Sequence, residues 1–463
     1  MFNSSTEVLM TPPAPATRLP IPQLLTLAGA TFLVITAEML PAGVLQLISK
    51  DLGVSESYAG YLMSGYAFTV VVTCIPLTHL TRNIDRTRLL RMVIVTYLIG
   101  TFLTVIAPTY WTVMGARIFT GIAHGLFWAI ISAYPAYLVA PNLIPRAVVY
   151  TSVGGSIAFI LGVPLSTWMG QQFGWRTSLA GIGVGLAILL VFLYRLLPLV
   201  GTGGDARDEE ARQAQERANC VDAGAPTEGL SAEAVAPSEN RQEPVLGAAE
   251  ALPSVRVNRP RVLIRRQSFA AALGLCFTVA LYVIGQYTAY TYISVIINQQ
   301  VGVSLKYLAL VLLAAGLLGF GSSLTSGRMF ERFGNRMLVA MMAIVVFSLG
   351  MLWMIPFPTS LGIFWILLWN AAAAFIPSFF VMRLLNISPT KHRDLLAAIY
   401  NACFNFGIGG GAFTGGWILS RAGIGWVVLM AACFVFISLV ATLLLTLRIR
   451  RSEKYVLWES QQA

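Results

Sequence analysis

Three ionisable side chains stand inside long apolar stretches of this sequence. Glu38 lies in the run 24–48, and Arg117 and His124 lie in the run 111–139. Of the 20 acidic residues only Glu38 is deep within such a run, Asp394 standing at the end of another, and of the 31 Lys and Arg only Arg117 is comparably placed. If these runs cross a membrane, each such charge costs several kcal/mol, so it defaults to a functional group with a named partner. At about 1.5 Å per helical residue, Glu38 lies about 15 Å from the end of its run at residue 48. On the same scale Arg117 and His124 lie about 9 and about 20 Å from residue 111, on either side of that depth. Arg117, Gly121, His124 and Trp128 recur at i, i+4, i+7 and i+11, on one helical face. Two chemistries fit. Glu38 could carry a coupled proton, since low dielectric favours the neutral acid and a nearby cation favours the carboxylate. Alternatively, Glu38 is structural, in a fixed pair with Arg117 or in a helix-packing hydrogen bond. His124 is either a second titrating group or a hydrogen-bonding wall.

Other polar side chains are neutral. Tyr282, Gln286, Tyr290 and Ser294 follow one another at i+4 in the run 269–296, flanked by Tyr287 and Thr291. The run 360–383 offers Trp365, Trp369 and Asn370, and the run 394–420 offers Asn401 and Asn405. Aromatic faces with amides and hydroxyls suit a neutral polyhydroxylated ligand. The alternatives are interfacial aromatics, which explain Trp111, Trp175 and Trp426, and amides that bond one helix to the next. No nucleophile–base pair or metal cluster appears in the runs, and the five cysteines show no metal or disulfide spacing. An enzyme and a metal site are therefore unsupported, and no cofactor is expected beyond a proton gradient as energy source.

The elements that must hold these residues are long. Hydrophobic residues make up 57% of the 463 residues and charged ones 11%, against about 25% charged in soluble proteins. Twelve runs reach the roughly 20 residues a spanning helix needs. The first six are 24–48, 57–80, 88–107, 111–139, 147–170 and 177–197. The second six are 269–296, 304–326, 336–356, 360–383, 394–420 and 423–447. Between the sets, 198–268 is polar and rich in Gly, Ala, Pro, Glu and Arg, which predicts a mostly disordered linker. Its basic end, Arg256 to Arg266, is expected against anionic headgroups. The net charge of +11 does not point to nucleic acid, because the basic residues sit between apolar runs. With the N-terminus inside, 26 Lys and Arg fall in inner segments and 4 in outer loops, or 16 against 4 with the linker discounted. This places both termini in the cytoplasm. Residues 1–22 read as a retained tail with no signal-peptide pattern.

Specific motifs sharpen this reading. Gly327-Arg-Met-Phe-Glu331-Arg332-Phe-Gly334-Asn-Arg336, between spans 8 and 9, matches the G-x-x-x-D/E-R-x-G-x-R loop of the major facilitator superfamily. A tight turn is expected at Gly334, with Glu331, Arg332 and Arg336 able to pair with helix ends. The corresponding loop, Thr81-Arg82-Asn-Ile-Asp85-Arg86-Thr-Arg88, is degenerate, with Ile84 where the glycine would stand. Gly115-Ala-Arg117-Ile-Phe-Thr-Gly121 resembles the R-x-x-x-G motif of span 4. Gly162-Val-Pro164 with Gly170-Gln-Gln-Phe-Gly174 resembles the antiporter motif of span 5, Val163 interrupting the Gly-Pro pair.

Glu38-Met-Leu-Pro41-Ala-Gly43, His124-Gly-Leu-Phe-Trp128, Gln286-Tyr-Thr-Ala-Tyr290-Thr-Tyr292 and Phe404-Asn405-Phe-Gly407-Ile-Gly409-Gly-Gly411 narrow the resemblance. Together they look like the bacterial sugar efflux transporters within the twelve-helix drug:proton antiporter family. The resemblance implies an all-α membrane protein of two six-helix bundles, over 24–197 and 269–447. Cytoplasmic tails would cover 1–23 and 448–463, and the linker 198–268. Each bundle is built of inverted three-helix repeats, with the substrate site at the midplane; this superfamily is the standard example of that architecture. Helices 1, 4, 7 and 10 would line the cavity, with Trp128 among the substrate contacts. It further implies a monomeric, multi-pass transporter of the bacterial inner membrane that exports sugars by alternating access, driven by protons. Drug (chloramphenicol-type) or nucleoside export is the alternative within the family. A non-transporting receptor would need a folded signalling domain.

Overall fold

The computed structural model describes residues 18–140, 143–200, 269–354, 358–389 and 392–459. The expected linker lies almost entirely outside them, as does most of the N-terminal tail. Twelve helices are long and apolar enough to span a membrane. In the first half they are α1 (Ile21–Leu52), α2 (Glu56–Leu80), α3 (Arg86–Ile106), α4 (Tyr110–Ala133), α5 (Arg146–Phe173) and α6 (Trp175–Leu196). In the second they are α7 (Phe269–Tyr290), α8 (Leu305–Phe333), α9 (Asn335–Trp353), α10 (Thr359–Ile387), α11 (Arg393–Ala422) and α12 (Ile424–Glu459). There are no strands among the described residues.

Three departures from ideal helix have local causes. In α5 a π-turn occupies Ala158–Gly162, just before Pro164. Proline has no N–H to give the carbonyl four residues back, and a π-turn relaxes the register there. In α1, Pro41 lies inside the helix and Val44 leaves helical geometry (φ −119°, ψ 20°). Helix α7 breaks at Thr291–Tyr292, then resumes as Ile293–Val295 and a π-turn at Ile296–Gln300. This break interrupts the i+4 register expected to carry Ser294 onto the face of Gln286 and Tyr290.

Successive helices alternate in direction, so the turns fall on two faces. Gly53, Gly174, Gly302 and Gly423, all with positive φ, mark one face, and Gly334 (φ +53°) marks the other. The halves meet where α2 lies against α11, α5 against α8, and α1 against the last turns of α7. Their hydrogen bonds gather at the Gly53 face. Gln171 Nε2 donates to the Leu305 carbonyl (2.7 Å), Gln299 Nε2 to Glu56 Oε1 (3.1 Å) and Gln46 Nε2 to Asn298 Oδ1 (3.4 Å). Near the Gly334 face, Ile75, Leu80, Leu324 and Leu395 are exposed. The hydrogen bonds between the halves thus close them toward the Gly53 face.

Candidate functional site

A chain of buried polar groups runs through the first half. Gly121 allows α4 to press on α2, since a methyl group there would sit 3.0 Å from the Tyr66 carbonyl oxygen. That approach sets the Arg117 guanidinium 4.4 Å from the Tyr66 ring centroid, a cation–π distance. Arg117 does not reach the Glu38 carboxylate. Its Nη1 donates to the Ala37 carbonyl (3.1 Å) and its Nη2 to the Glu38 carbonyl (3.2 Å). Pro41 explains the first bond, because its missing N–H leaves the Ala37 oxygen without an intrahelical donor. Of the alternatives, a side-chain pair of Glu38 and Arg117 is not formed: the arginine repairs the backbone of α1 beside the acid.

The carboxylate faces the histidine instead. Glu38 Oε2 lies 3.7 Å from His124 Nε2, and Glu38 and His124 are 6% and 1% exposed. Both imidazole nitrogens have further partners. Trp128 Nε1 donates to Nε2 at 2.7 Å, and Nδ1 bonds the Tyr97 hydroxyl, which bonds Tyr66 Oη at 2.6 Å. An indole N–H can only donate, so Nε2 presents its lone pair and Nδ1 carries the hydrogen in this arrangement. Tyr66 and Tyr97 do not figure in the sequence reading. The signal was available: a tyrosine in mid-span, away from the interfaces, needs a buried partner for its hydroxyl.

The second half is wired more sparsely. Gln286 and Trp369 meet as Trp369 Nε1 donates to Gln286 Oε1 (2.9 Å), joining α7 to α10. Tyr290 is half-buried against Tyr287 and reaches Phe159 of α5, ring centroids 6.4 Å apart. Ser294 is buried, its Oγ without a partner, and the Trp365 indole N–H is likewise buried and unpartnered while its ring packs on Phe347 and Phe364. The amides of Asn370 and Asn405 bond carbonyls of their own helices, at Ile366 and Asn401. The Asn401 side chain is exposed. The structure thus unites Gln286 with Trp369 and leaves Asn370, Asn401 and Asn405 as separate donors and acceptors.

The loop motif forms the expected turn. Gly334 takes φ +53° and ψ −137°, and its N–H closes on the Phe330 carbonyl at 2.8 Å. Gly327, Glu331, Arg332 and Arg336 are exposed. Among the described residues Glu331, Arg332 and Arg336 make no ion pair or hydrogen bond; Arg332 lies 5.3 Å from the Phe333 ring centroid. The expected pairing with helix ends is not formed among the described residues. The degenerate partner loop does hold a helix: Asp85 caps α3 through the Arg88 N–H (2.8 Å) and accepts from the Val200 N–H (3.1 Å).

A second buried basic side chain lies near the Gly334-side end of α10: Arg383 is 1% exposed, with Nη2 donating to Thr446 Oγ1 (2.7 Å). The opposite, closed face also has a built feature. Tyr292, fully buried after the break in α7, donates to the Ala412 carbonyl (3.0 Å). Its ring fills a slot formed by Gly60 of α2 and by Gly415 and Gly416 of α11, where any side chain would overlap it.

Comparison with known proteins agrees with this architecture. The chain is 26% identical over 429 residues to a probable sugar efflux transporter of Mannheimia succiniciproducens, covering 93% of this chain and 95% of that protein. Its fold is that of the crystal structure of a D-xylose-proton symporter (TM-score 0.66, 17% identity, 92% of this chain and 96% of that one). It also matches a bacterial homologue of the human lysosomal transporter Spinster in an inward-facing, unoccupied conformation (TM-score 0.66, 12% identity, 95% and 99%). Residues 27–386 match the sequence profile of the Major Facilitator Superfamily. With twelve membrane-length helices and this match over most of its length, the chain belongs to that superfamily: it is a multi-pass membrane transporter of small molecules, not an enzyme.

Proposed function

We propose that this transporter exports small neutral polyhydroxylated solutes, sugars above all, in exchange for protons. The observation that carries the proton part is the Glu38–His124 contact of 3.7 Å, buried and beside a fixed Arg117. Two groups that can each hold one proton then face each other in low dielectric. The sugar part is supported by the relative named as a sugar efflux transporter and by the Gln286–Trp369 pair, an amide beside a flat aromatic face. Orientation follows the charge count, so the Gly334 face lies toward the cytoplasm of a bacterial inner membrane and the Gly53 face toward the outside. The protein works as a monomer, like a single rocking unit with its site between two halves.

Counterflow in proteoliposomes against pentoses, galactosides, nucleosides and chloramphenicol tests the substrate. Preference for a nucleoside or chloramphenicol would move it within the family, and uptake of none by folded protein would revive a receptor. Glu38→Gln tests the coupling: gradient-driven efflux should be lost while exchange survives, because exchange needs no net proton movement. Concentrative efflux retained by Glu38→Gln would move the proton site, with His124 next in line. Reporter fusions after residues 86 and 334 should read cytoplasm, and after 54 and 303 periplasm.

A further inference from the structure

The groups around His124 are arranged with one side fixed and the other removable. On the Nδ1 side the ring is tied to Tyr97, itself tied to Tyr66, and both tyrosines are at most 1% exposed on helices packed against α4. On the Nε2 side the partner is Trp128, one turn along the same helix, whose ring is 36% exposed. Nε2 is also the nitrogen that faces Glu38, at 3.7 Å. One lone pair cannot accept from the indole and from a carboxylic acid at the same time at full strength, and an indole N–H cannot coexist with a proton on Nε2.

We propose that Trp128 is the positioning residue that couples substrate to the proton site: its N–H occupies the only imidazole nitrogen facing Glu38, and solute contact with its exposed ring withdraws it. This rests on the proton-coupled reading of Glu38. With the indole withdrawn, Glu38 closes on Nε2 by about 1 Å to an ordinary hydrogen-bond length near 2.8 Å. A proton carried as Glu38 O–H then moves to the Nε2 lone pair. The products are a carboxylate and an imidazolium with hydrogens on both nitrogens; no other bond changes. Tyr97 and Tyr66 keep the ring from turning, so Nε2 is the nitrogen that receives the proton. Besides Glu38 on α1, the titratable or charged groups facing His124 are Tyr66 on α2, Tyr97 on α3 and Arg117 on its own helix. Tyr287 of α7 lies within electrostatic range of Glu38. Arg117 is already committed to two carbonyls and gives no proton to the exchange.

Two measurements test this with protons alone. The chain has three histidines, so replacing His79 and His392 by Asn isolates His124 for nitrogen-15 magnetic resonance in lipid. The unaltered site should show a neutral ring protonated on Nδ1, and Trp128→Phe should shift population toward protonated Nε2. A neutral ring protonated on Nε2 before mutation, or no change in Trp128→Phe, overturns the proposal. In vesicles with an internal pH dye and no solute, Trp128→Phe should dissipate a pH gradient about tenfold faster, the factor that loss of one hydrogen bond of about 1.4 kcal/mol represents. Adding Glu38→Gln should return the leak to the level of empty vesicles. If Glu38→Gln alone abolishes coupling but Trp128→Phe neither leaks nor changes tautomer, Trp128 has no such role while the transport reading stands. If Glu38→Gln stays coupled, the proton site lies elsewhere and the role of Trp128 falls with the proton-coupled reading of Glu38.

Discussion

Each half of the transporter carries a proline inside a spanning helix whose freed carbonyl is taken up by a side chain from another helix, and the two halves do so with different chemistry. In α1, Pro41 frees the Ala37 carbonyl, and Arg117 takes it up with a charged donor at 3.1 Å. In α10, Pro377 frees the Ala373 carbonyl, and Tyr282 takes it up with a neutral hydroxyl at 3.4 Å. The same backbone problem therefore leaves a permanent cation near Glu38 in one half and none near Gln286 in the other. Proton chemistry needs a charge balance that a neighbouring cation can bias. Ligand hydroxyls need neutral donors and acceptors held in place, which the Gln286–Trp369 pair supplies.

The comparison breaks most sharply at Arg117. Removing it by Arg117→Ala leaves the Ala37 and Glu38 carbonyls short of a charged donor, at about 1.5–3 kcal/mol for each such bond. A large drop in melting temperature is expected in detergent. Restoring an N–H by Pro41→Ala should stabilise Arg117→Ala more than it stabilises the parent, a coupling read from the double-mutant cycle. Equal effects in both backgrounds would detach Arg117 from the proline.

Contact between the halves is the next place to press. Gly60→Val places a branched side chain where the Tyr292 ring now sits, and overpacking of this kind costs about 1–3 kcal/mol. The closed Gly53 face should then open more often. Ser57→Cys, buried at 3% exposure, should react faster with an impermeant maleimide applied from that face. Unchanged labelling would show that the slot does not hold this conformation.

Within the neutral half, Gln286→Ala should weaken apparent solute affinity by about 1–3 kcal/mol and leave the Trp369 N–H without its acceptor. Half-saturation in counterflow and melting temperature separate the two effects. A fall in stability with unchanged affinity would make Gln286 a packing residue. The smallest effect is expected for Tyr282→Phe, about 0.5–1.5 kcal/mol in melting, since a long neutral bond is lost. A loss as large as that of Arg117→Ala would erase the contrast between the halves.

How much of the site was legible follows from what each signal depends on. Glu38, Arg117 and His124 stood out because a polar group in a long apolar run is conspicuous without knowing its neighbours, and helical spacing put Arg117, His124 and Trp128 on one face. Gln286 emerged the same way, its partner Trp369 visible as an aromatic at a suitable depth. Ser294 was misplaced because a break at Thr291–Tyr292 follows from packing between helices and not from any proline in that segment. Arg383 closes the run 360–383, and its burial was not legible because α10 continues four residues further, to Ile387.

The sequence by itself determined the twelve spans and the superfamily, because hydropathy over about 20 residues and the Gly327–Arg336 motif are local properties that need no contact map. Only the tertiary structure decided that Arg117 serves the α1 backbone and not the Glu38 carboxylate, that Tyr97 and Trp128 hold the two nitrogens of His124, and that three glycines enclose Tyr292. Each of these depends on the rotation of one helix about its axis against another. Side-chain types along a single helix name its faces, but which face meets which neighbour is set by packing across the bundle.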